Sequence, residues 1–173
     1  MLNRLLRKRK PARPIDSATV PEGRRVYAIG DVHGRNDLLQ QLLQKIVMDD
    51  GERGAAKSEI IFLGDLVDRG PDSAGVLDTA MQLVVGDYAF VHAGIRPGLP
   101  LSEQRKKDLR WIREEFLATE AAHEKVIVYG HTISDEVVEA GNRIGIDTGA
   151  YYSNKLTALA LQGSERWYLD TST

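Results

Sequence analysis

Asp31, His33, Asp65, His92 and His131 carry hard oxygen and imidazole donors, and each stands at the end of a short apolar run. The runs read AIGDVHG (28–34), IFLGDLVDRG (61–70), AFVHAG (89–94) and VIVYGHT (126–132), with a fifth, IGIDTGA (144–150), built on the same pattern. A buried strand that stops at a glycine and presents Asp or His is how an open α/β sheet builds a site at its strand ends. No cysteine occurs in the chain, so the donor set contains no thiolate. Such a set suits one or two divalent ions, Mn²⁺ first, with Fe²⁺ or Zn²⁺ as alternatives. Metal-dependent hydrolysis is the chemistry it points to.

Spacing refines this reading. Asp31 and His33 are two residues apart and share one side of an extended chain, and Gly34 permits a tight exit. The stretch 64–70 packs Asp65, Asp68 and Arg69 between two glycines. Asp65 could bridge two cations, Asp68 could orient a histidine, and the planar fork of Arg69 matches a phosphate. A charged turn capping the next helix is the plainer alternative. His92 alone would more often be a satisfied core histidine. Two histidines and two aspartates at equivalent strand ends favour ligation. His123 lacks that context and is expected at the surface.

The elements that must position these residues alternate between short apolar runs and stretches of helical spacing. Strands are expected at Arg25–Ile29, Glu59–Leu63, Lys125–Tyr129, Arg143–Ile146, Leu156–Leu161 and Arg166–Leu169, the last two as a hairpin. The Glu59–Leu63 run reads as too apolar for a sheet edge. Gly86-Asp87 marks a tight hairpin between Val84–Val85 and Tyr88–Val91. Helices are expected over Asp37–Asp49, with Asn36 as N-cap, from Pro71 to about Leu83, and, broken, over Ser102–Leu117. Alternating strand and helix followed by a strand-rich end implies an α/β fold, a layered sandwich of mixed β-sheets.

At 173 residues the chain is one domain's worth, and a 42% hydrophobic fraction suffices for a core. Six of its 23 basic residues (Arg4, Arg7, Lys8, Arg9, Lys10, Arg13) crowd the first 13 positions, which leaves 17 against 25 acidic residues in the rest. Residues 1–23 are therefore read as a basic, disordered arm able to touch anionic surfaces, and 24–173 as the domain. An acidic body is a poor general nucleic-acid binder. No apolar run is long enough to span a bilayer. With no signal-peptide pattern and no cysteine, the expected location is the cytoplasm.

Taken together, D-x-H-G, G-D-x-V-D-R-G, V-H-A-G and G-H-T resemble the calcineurin-like metallophosphoesterases, nearest the bacterial PPP-type serine/threonine protein phosphatases, with diadenosine tetraphosphate hydrolases as close neighbours. The likeness runs from about Arg24 to the C-terminus and includes Trp111-Ile112-Arg113. It implies that Asp31 and His33 bind a first metal, that Asp65 bridges both, and that His92 and His131 bind the second. It implies phosphate contacts from Arg69 and Arg113, with Arg96 as a further candidate at the mouth. A hydroxide between the two ions would attack phosphorus.

One signature of that family is missing. G-N-H-E, whose Asn binds the second metal and whose His, paired with the residue matched by Asp68, protonates the leaving group, does not occur; the interval between Gly70 and Val91 contains neither His nor Asn. The gap resembles an internal deletion near 81–84 that removes a central strand and its helices. Three consequences are expected. The second metal site weakens, general-acid help worth about 10²–10⁴-fold disappears, and a sheet edge opens that could drive self-association. The leading expectation is a protein-phosphatase-type hydrolase of phosphoproteins or small phosphoesters. The alternatives are a dinucleoside polyphosphate hydrolase, or an inactive remnant that binds metal or phosphate.

Overall fold

The computed structural model describes residues 14–66 and 83–172. Among these described residues nine strands and four helices follow in the order β1 (Arg24–Ile29), α1 (Asn36–Glu52), β2 (Lys57–Phe62), β3 (Leu83–Val85), β4 (Tyr88–Phe90), α2 (Lys106–Trp111), α3 (Glu114–Leu117), β5 (Val126–Tyr129), β6 (Val138–Ala140), β7 (Arg143–Gly145), α4 (Ala150–Ser153), β8 (Thr157–Gln162) and β9 (Glu165–Asp170). They form a four-stranded sheet, β2-β1-β8-β9, and a five-stranded sheet, β3-β4-β5-β7-β6. Both are mixed. β1 runs parallel to β2 and antiparallel to β8, while β5 runs parallel to both β4 and β7. The expected sandwich of mixed sheets is therefore the fold.

Period-two alternation explains the layers. Val26 and Ala28 of β1, Leu159 and Leu161 of β8, and Val126 and Val128 of β5 meet between the sheets. The intervening Tyr27, Ile29, Ala158 and Ala160 face Leu38, Leu42 and Ile46 of α1. On the far side, Ile127 and Tyr129 pack with Leu109, Ile112 and Phe116 from the α2–α3 region. The order is helix, sheet, sheet, helix. Because β1, β4 and β5 each have an apolar residue on both faces, their loops emerge from a fully packed interior. Arg25, also on β1, is almost fully buried, and its guanidinium is satisfied by Gln162, Asp50 and the Gly54 carbonyl.

Several expectations need correction. β2 was read as too apolar for an edge, yet among the described strands it is the edge of its sheet. Its inward Ile61 packs against the inter-sheet core, while Ile60 and Phe62 on the other face are 44% and 38% exposed. An apolar count cannot tell a strand covered on two faces from one covered on one. The packed unit also begins before Arg24. A 3₁₀ turn at Ile15–Ser17 and the buried Ile15, Ala18 and Val20 join the inter-sheet core. The basic stretch itself lies outside the described residues, as does the helix expected from Pro71.

His123, expected at the surface, is 5% exposed. It stacks on Phe116, and its backbone is clamped by Asn142. Asn36 is the first helical residue rather than the cap, a position that Arg35 takes without a side-chain cap bond. Short β6 and α4 escaped the reading, being too brief to show a period. The hairpins at Gly86-Asp87 and Gly163, and the broken helix after Ser102, stand as expected. Among the described residues no helix is long and apolar enough to cross a membrane.

Candidate metal centre

The loops that follow β1, β2, β4 and β5 converge at one end of the sandwich. Backbone hydrogen bonds lace them together. His33 N–H donates to the Asp65 carbonyl (2.6 Å), Gly34 N–H to the Leu66 carbonyl (2.9 Å) and Gly130 N–H to the His92 carbonyl (2.8 Å). Each signature is thereby held by the backbone of another. Residues separated by as much as 100 positions become neighbours, as when His131 N–H donates to Asp31 Oδ2 at 3.1 Å.

Two donor triads result, Asp31–His33–Asp65 and Asp65–His92–His131, in each of which one ligand atom per residue lies within 4.8 Å of the others. Asp65 belongs to both and divides its oxygens between them. Oδ1 is 3.6 Å from His92 Nε2, and Oδ2 is 3.8 Å from His33 Nε2. His92 Nε2 stands 3.0 Å from His131 Nδ1, and His92 Nδ1 stands 3.7 Å from Asp31 Oδ1. With bonds of about 2.1 Å, adjacent ligands of an octahedral ion are roughly 3.0 Å apart and those of a tetrahedral ion roughly 3.4 Å. The observed spacings lie at or slightly beyond these edges, so small side-chain adjustments would bring the three donors of each triad onto one ion. His33 Nδ1 is buried without a hydrogen-bond partner. Asp31, His33, His92 and His131 are all buried, while Asp65 keeps a 43% exposed side chain open to the cleft. The residues present fit divalent cations.

The backbone is bent to make this possible. Among the described non-glycine residues, positive φ occurs at His33 (50°), Asp65 (36°), His131 (64°) and Asn154 (60°), and three of these four belong to the triads. Strained backbone of this kind persists where surrounding contacts over-determine it, and it clusters at functional sites. Two glycines make room. A Cβ at Gly64 would stand 2.3 Å from His92 Nδ1, and one at Gly130 would stand 2.4 Å from Asp31 Oδ1. Sequence reading took these glycines as strand terminators; their role against side chains from other loops has no local signal.

The arginines divide. Arg113 Nε donates to His131 Nε2 at 3.2 Å, which puts its guanidinium at the rim of the second triad. Arg96 instead makes a bidentate pair with Asp108 (3.0 and 2.7 Å) and a further pair with Glu115 (2.6 Å). Its side chain fastens the segment after β4 to the α2–α3 region. Asp68 and Arg69 lie outside the described residues.

Sequence reading assigned no role to two aromatic side chains here. The Trp111 ring stands edge-on to His131 at 5.6 Å, and that of Tyr151 edge-on to His33 at 5.4 Å. In the fifth signature, Asp147 accepts from Gly149 N–H at 3.0 Å and so shapes the turn into α4.

Comparison with known proteins agrees with this architecture. The family profile described as calcineurin-like phosphoesterase matches residues 24–91, which span the first two signatures and stop one residue before His92. A symmetrical bis(5′-nucleosyl)-tetraphosphatase of Cellvibrio japonicus is 33% identical over 126 residues, 66% of this chain and 44% of that protein. Its counterpart from Escherichia coli O139:H28 is 35% identical over 123 residues, 61% of this chain and 42% of that one. An asymmetrical bis(5′-nucleosyl)-tetraphosphatase of Oceanobacillus iheyensis is 36% identical over 73 residues, 40% of this chain and 29% of that one. The chain thus spans less than half the length of these relatives. A crystal structure provisionally assigned as a diadenosine tetraphosphatase superposes with a TM-score of 0.63 at 18% identity, over 90% of this chain and 98% of the other, a likeness of fold.

Proposed function

Because the chain belongs to the calcineurin-like phosphoesterases, we propose that it is a divalent-metal-dependent hydrolase of phosphoanhydrides of the dinucleoside polyphosphate type. The observation that carries this reading is the division of Asp65 between two donor triads, 3.6 Å from His92 on one side and 3.8 Å from His33 on the other. Asp31, His33 and Asp65 would hold one ion, and Asp65, His92 and His131 the other. Such ions supply positive charge to phosphoryl oxygens and lower the pKa of water. Arg113 stands ready to neutralise phosphoryl oxygens at the second triad, and the G-D-x-V-D-R-G pattern assigns the same task to Arg69. With no histidine or asparagine between Gly70 and Val91, the second site would have one ligand fewer than the full signature provides, and would bind its ion more weakly for that loss.

Substrate class follows from two considerations. The relatives reported above are tetraphosphatases rather than protein phosphatases. The chain also lacks the histidine that would protonate a leaving group, and that loss weighs unequally. A serine alkoxide leaves only with a proton, whereas a phosphate or nucleoside phosphate leaves readily without one. Phosphoanhydrides therefore suit the shortened site better than phosphoproteins, which reorders the initial expectation.

The test compares wild type with Asp65→Asn, with Mn²⁺ binding followed by calorimetry beside hydrolysis of p-nitrophenyl phosphate, diadenosine tetraphosphate and a phosphopeptide. The wild type binds two ions of unequal affinity and prefers the anhydride to the phosphopeptide, and Asp65→Asn loses both binding and turnover. Folded wild-type protein with no metal-dependent turnover would refute the hydrolase reading.

A further inference from the structure

Each donor triad carries an aromatic side chain on its flank, and neither aromatic belongs to the buried core. Trp111 closes α2 and is 67% exposed, with its indole edge-on to His131 at 85°. A tryptophan left this open forgoes the large apolar burial that normally holds the residue inside or at an interface. On the other flank Tyr151 is edge-on to His33 at 81° and meets the 53% exposed Tyr152 at 5.2 Å. This tyrosine pair is fastened to the D-x-H-G loop. Arg35, two residues after His33, donates to the Ala150 carbonyl (3.0 Å) and to Asn154 Oδ1 (2.7 Å), at the two ends of α4. The tyrosine wall is thus tied to the loop that carries His33, and each aromatic accompanies a different one of the two donor triads that share Asp65.

From this arrangement we propose that Trp111 and Tyr151 are base-stacking walls, so that the site selects phosphates bearing a planar nucleobase. This rests on the phosphoesterase reading and extends it from the phosphate to the groups at its ends. Stacking on an aromatic face tolerates any base, and replacing one platform by alanine weakens binding by roughly ten- to a hundred-fold. A wall on each flank suits a substrate with a base at each end and its phosphates over Asp65. The metal triads and arginines alone would not distinguish such a molecule from any other polyphosphate.

The experiment uses the full chain loaded with Mn²⁺, calorimetry as the readout, and two non-hydrolysable probes, adenosine 5′-(α,β-methylene)diphosphate and the base-free methylenediphosphonate. The wild type binds the nucleoside probe about ten-fold or more tightly than the base-free one. Trp111→Ala removes most of that difference and leaves methylenediphosphonate affinity within two-fold, and Trp111→Phe restores it. Tyr151→Ala acts in the same direction. Equal binding of the two probes by wild type overturns the stacking assignment and leaves the phosphoesterase reading intact. Equal weakening of both probes in Trp111→Ala also overturns it, since Trp111 would then merely position His131. Failure of the Mn²⁺-loaded wild type to bind either probe defeats both readings.

Discussion

Gly130→Ala isolates one physical cause at the centre. Gly130 has an ordinary backbone conformation, not a positive φ, so alanine adds a methyl group without dihedral strain. That methyl would stand 2.4 Å from Asp31 Oδ1, where ordinary contact begins at 3.4 Å. The carboxylate or the β5 loop must give by about 1 Å, the size of misplacement that can cost on the order of 10²-fold in rate. Asp31 is 1% exposed and its Oδ2 is engaged by His131 N–H, so it has no open space to retreat into. Mn²⁺ affinity at the Asp31–His33–Asp65 triad should fall about 10–100-fold, as when a metal ligand loses its support, and p-nitrophenyl phosphate turnover should fall about 10²-fold. Overpacking costs about 1–3 kcal/mol, so the protein stays folded with a melting temperature lower by several degrees. Gly51→Ala, where a Cβ meets nothing within 4 Å, is the control. Calorimetric Mn²⁺ titration with circular dichroism on both variants decides the matter. A Gly130→Ala protein that binds Mn²⁺ like wild type would refute the claim that Asp31 is a wedged ligand.

Three further outcomes follow from the packing. Burial, helped by the nearby Arg143, depresses the His123 imidazole to about 4. A depressed folded value means that its contribution to stability is present above the unfolded value near 6.5 and is lost as pH falls toward 4. Roughly 1–2 kcal/mol is at stake after allowing for partial solvation of the cation, and His123→Phe should flatten the melting-temperature profile between pH 6.5 and 4; an unchanged profile would sink the assignment. Arg96→Ala should lower the melting temperature and leave Mn²⁺-dependent kcat/KM within two-fold, because its guanidinium serves Asp108 and Glu115; a selective rise in KM would return it to the substrate. The β2 edge, with Ile60 and Phe62 exposed, should drive concentration-dependent association visible by analytical ultracentrifugation. Phe62→Lys should suppress it, and a wild type that sediments as a monomer at every concentration would remove the edge from consideration.

The five donors, the strands that carry them and the mixed sandwich were legible in the chain because each rests on a local rule. A short continuous apolar run marks β1, β5 and β8, and a glycine with Asp or His at the strand end marks the loop that follows. Local rules do not say which strand has a neighbour. β2 has the composition of an interior strand and stands at an edge, with one apolar face exposed. His123 was misjudged for the same reason, and the ion pairs of Arg96 went unseen. Their surroundings come from Asn142, Phe116, Asp108 and Glu115, at distances along the chain that no window covers.

The chemistry of the donors is a property of residue type, and the sequence by itself determined it, together with the strand ends that carry them and the lack of a leaving-group histidine between Gly70 and Val91. Only the tertiary structure decided that Asp65 splits its oxygens between two triads, that Gly130 and Gly64 exist to admit Asp31 and His92, and that Trp111 and Tyr151 flank the centre. Those relations are distances between loops, created when two sheets close over a shared apolar core, and a one-dimensional pattern contains no term for them.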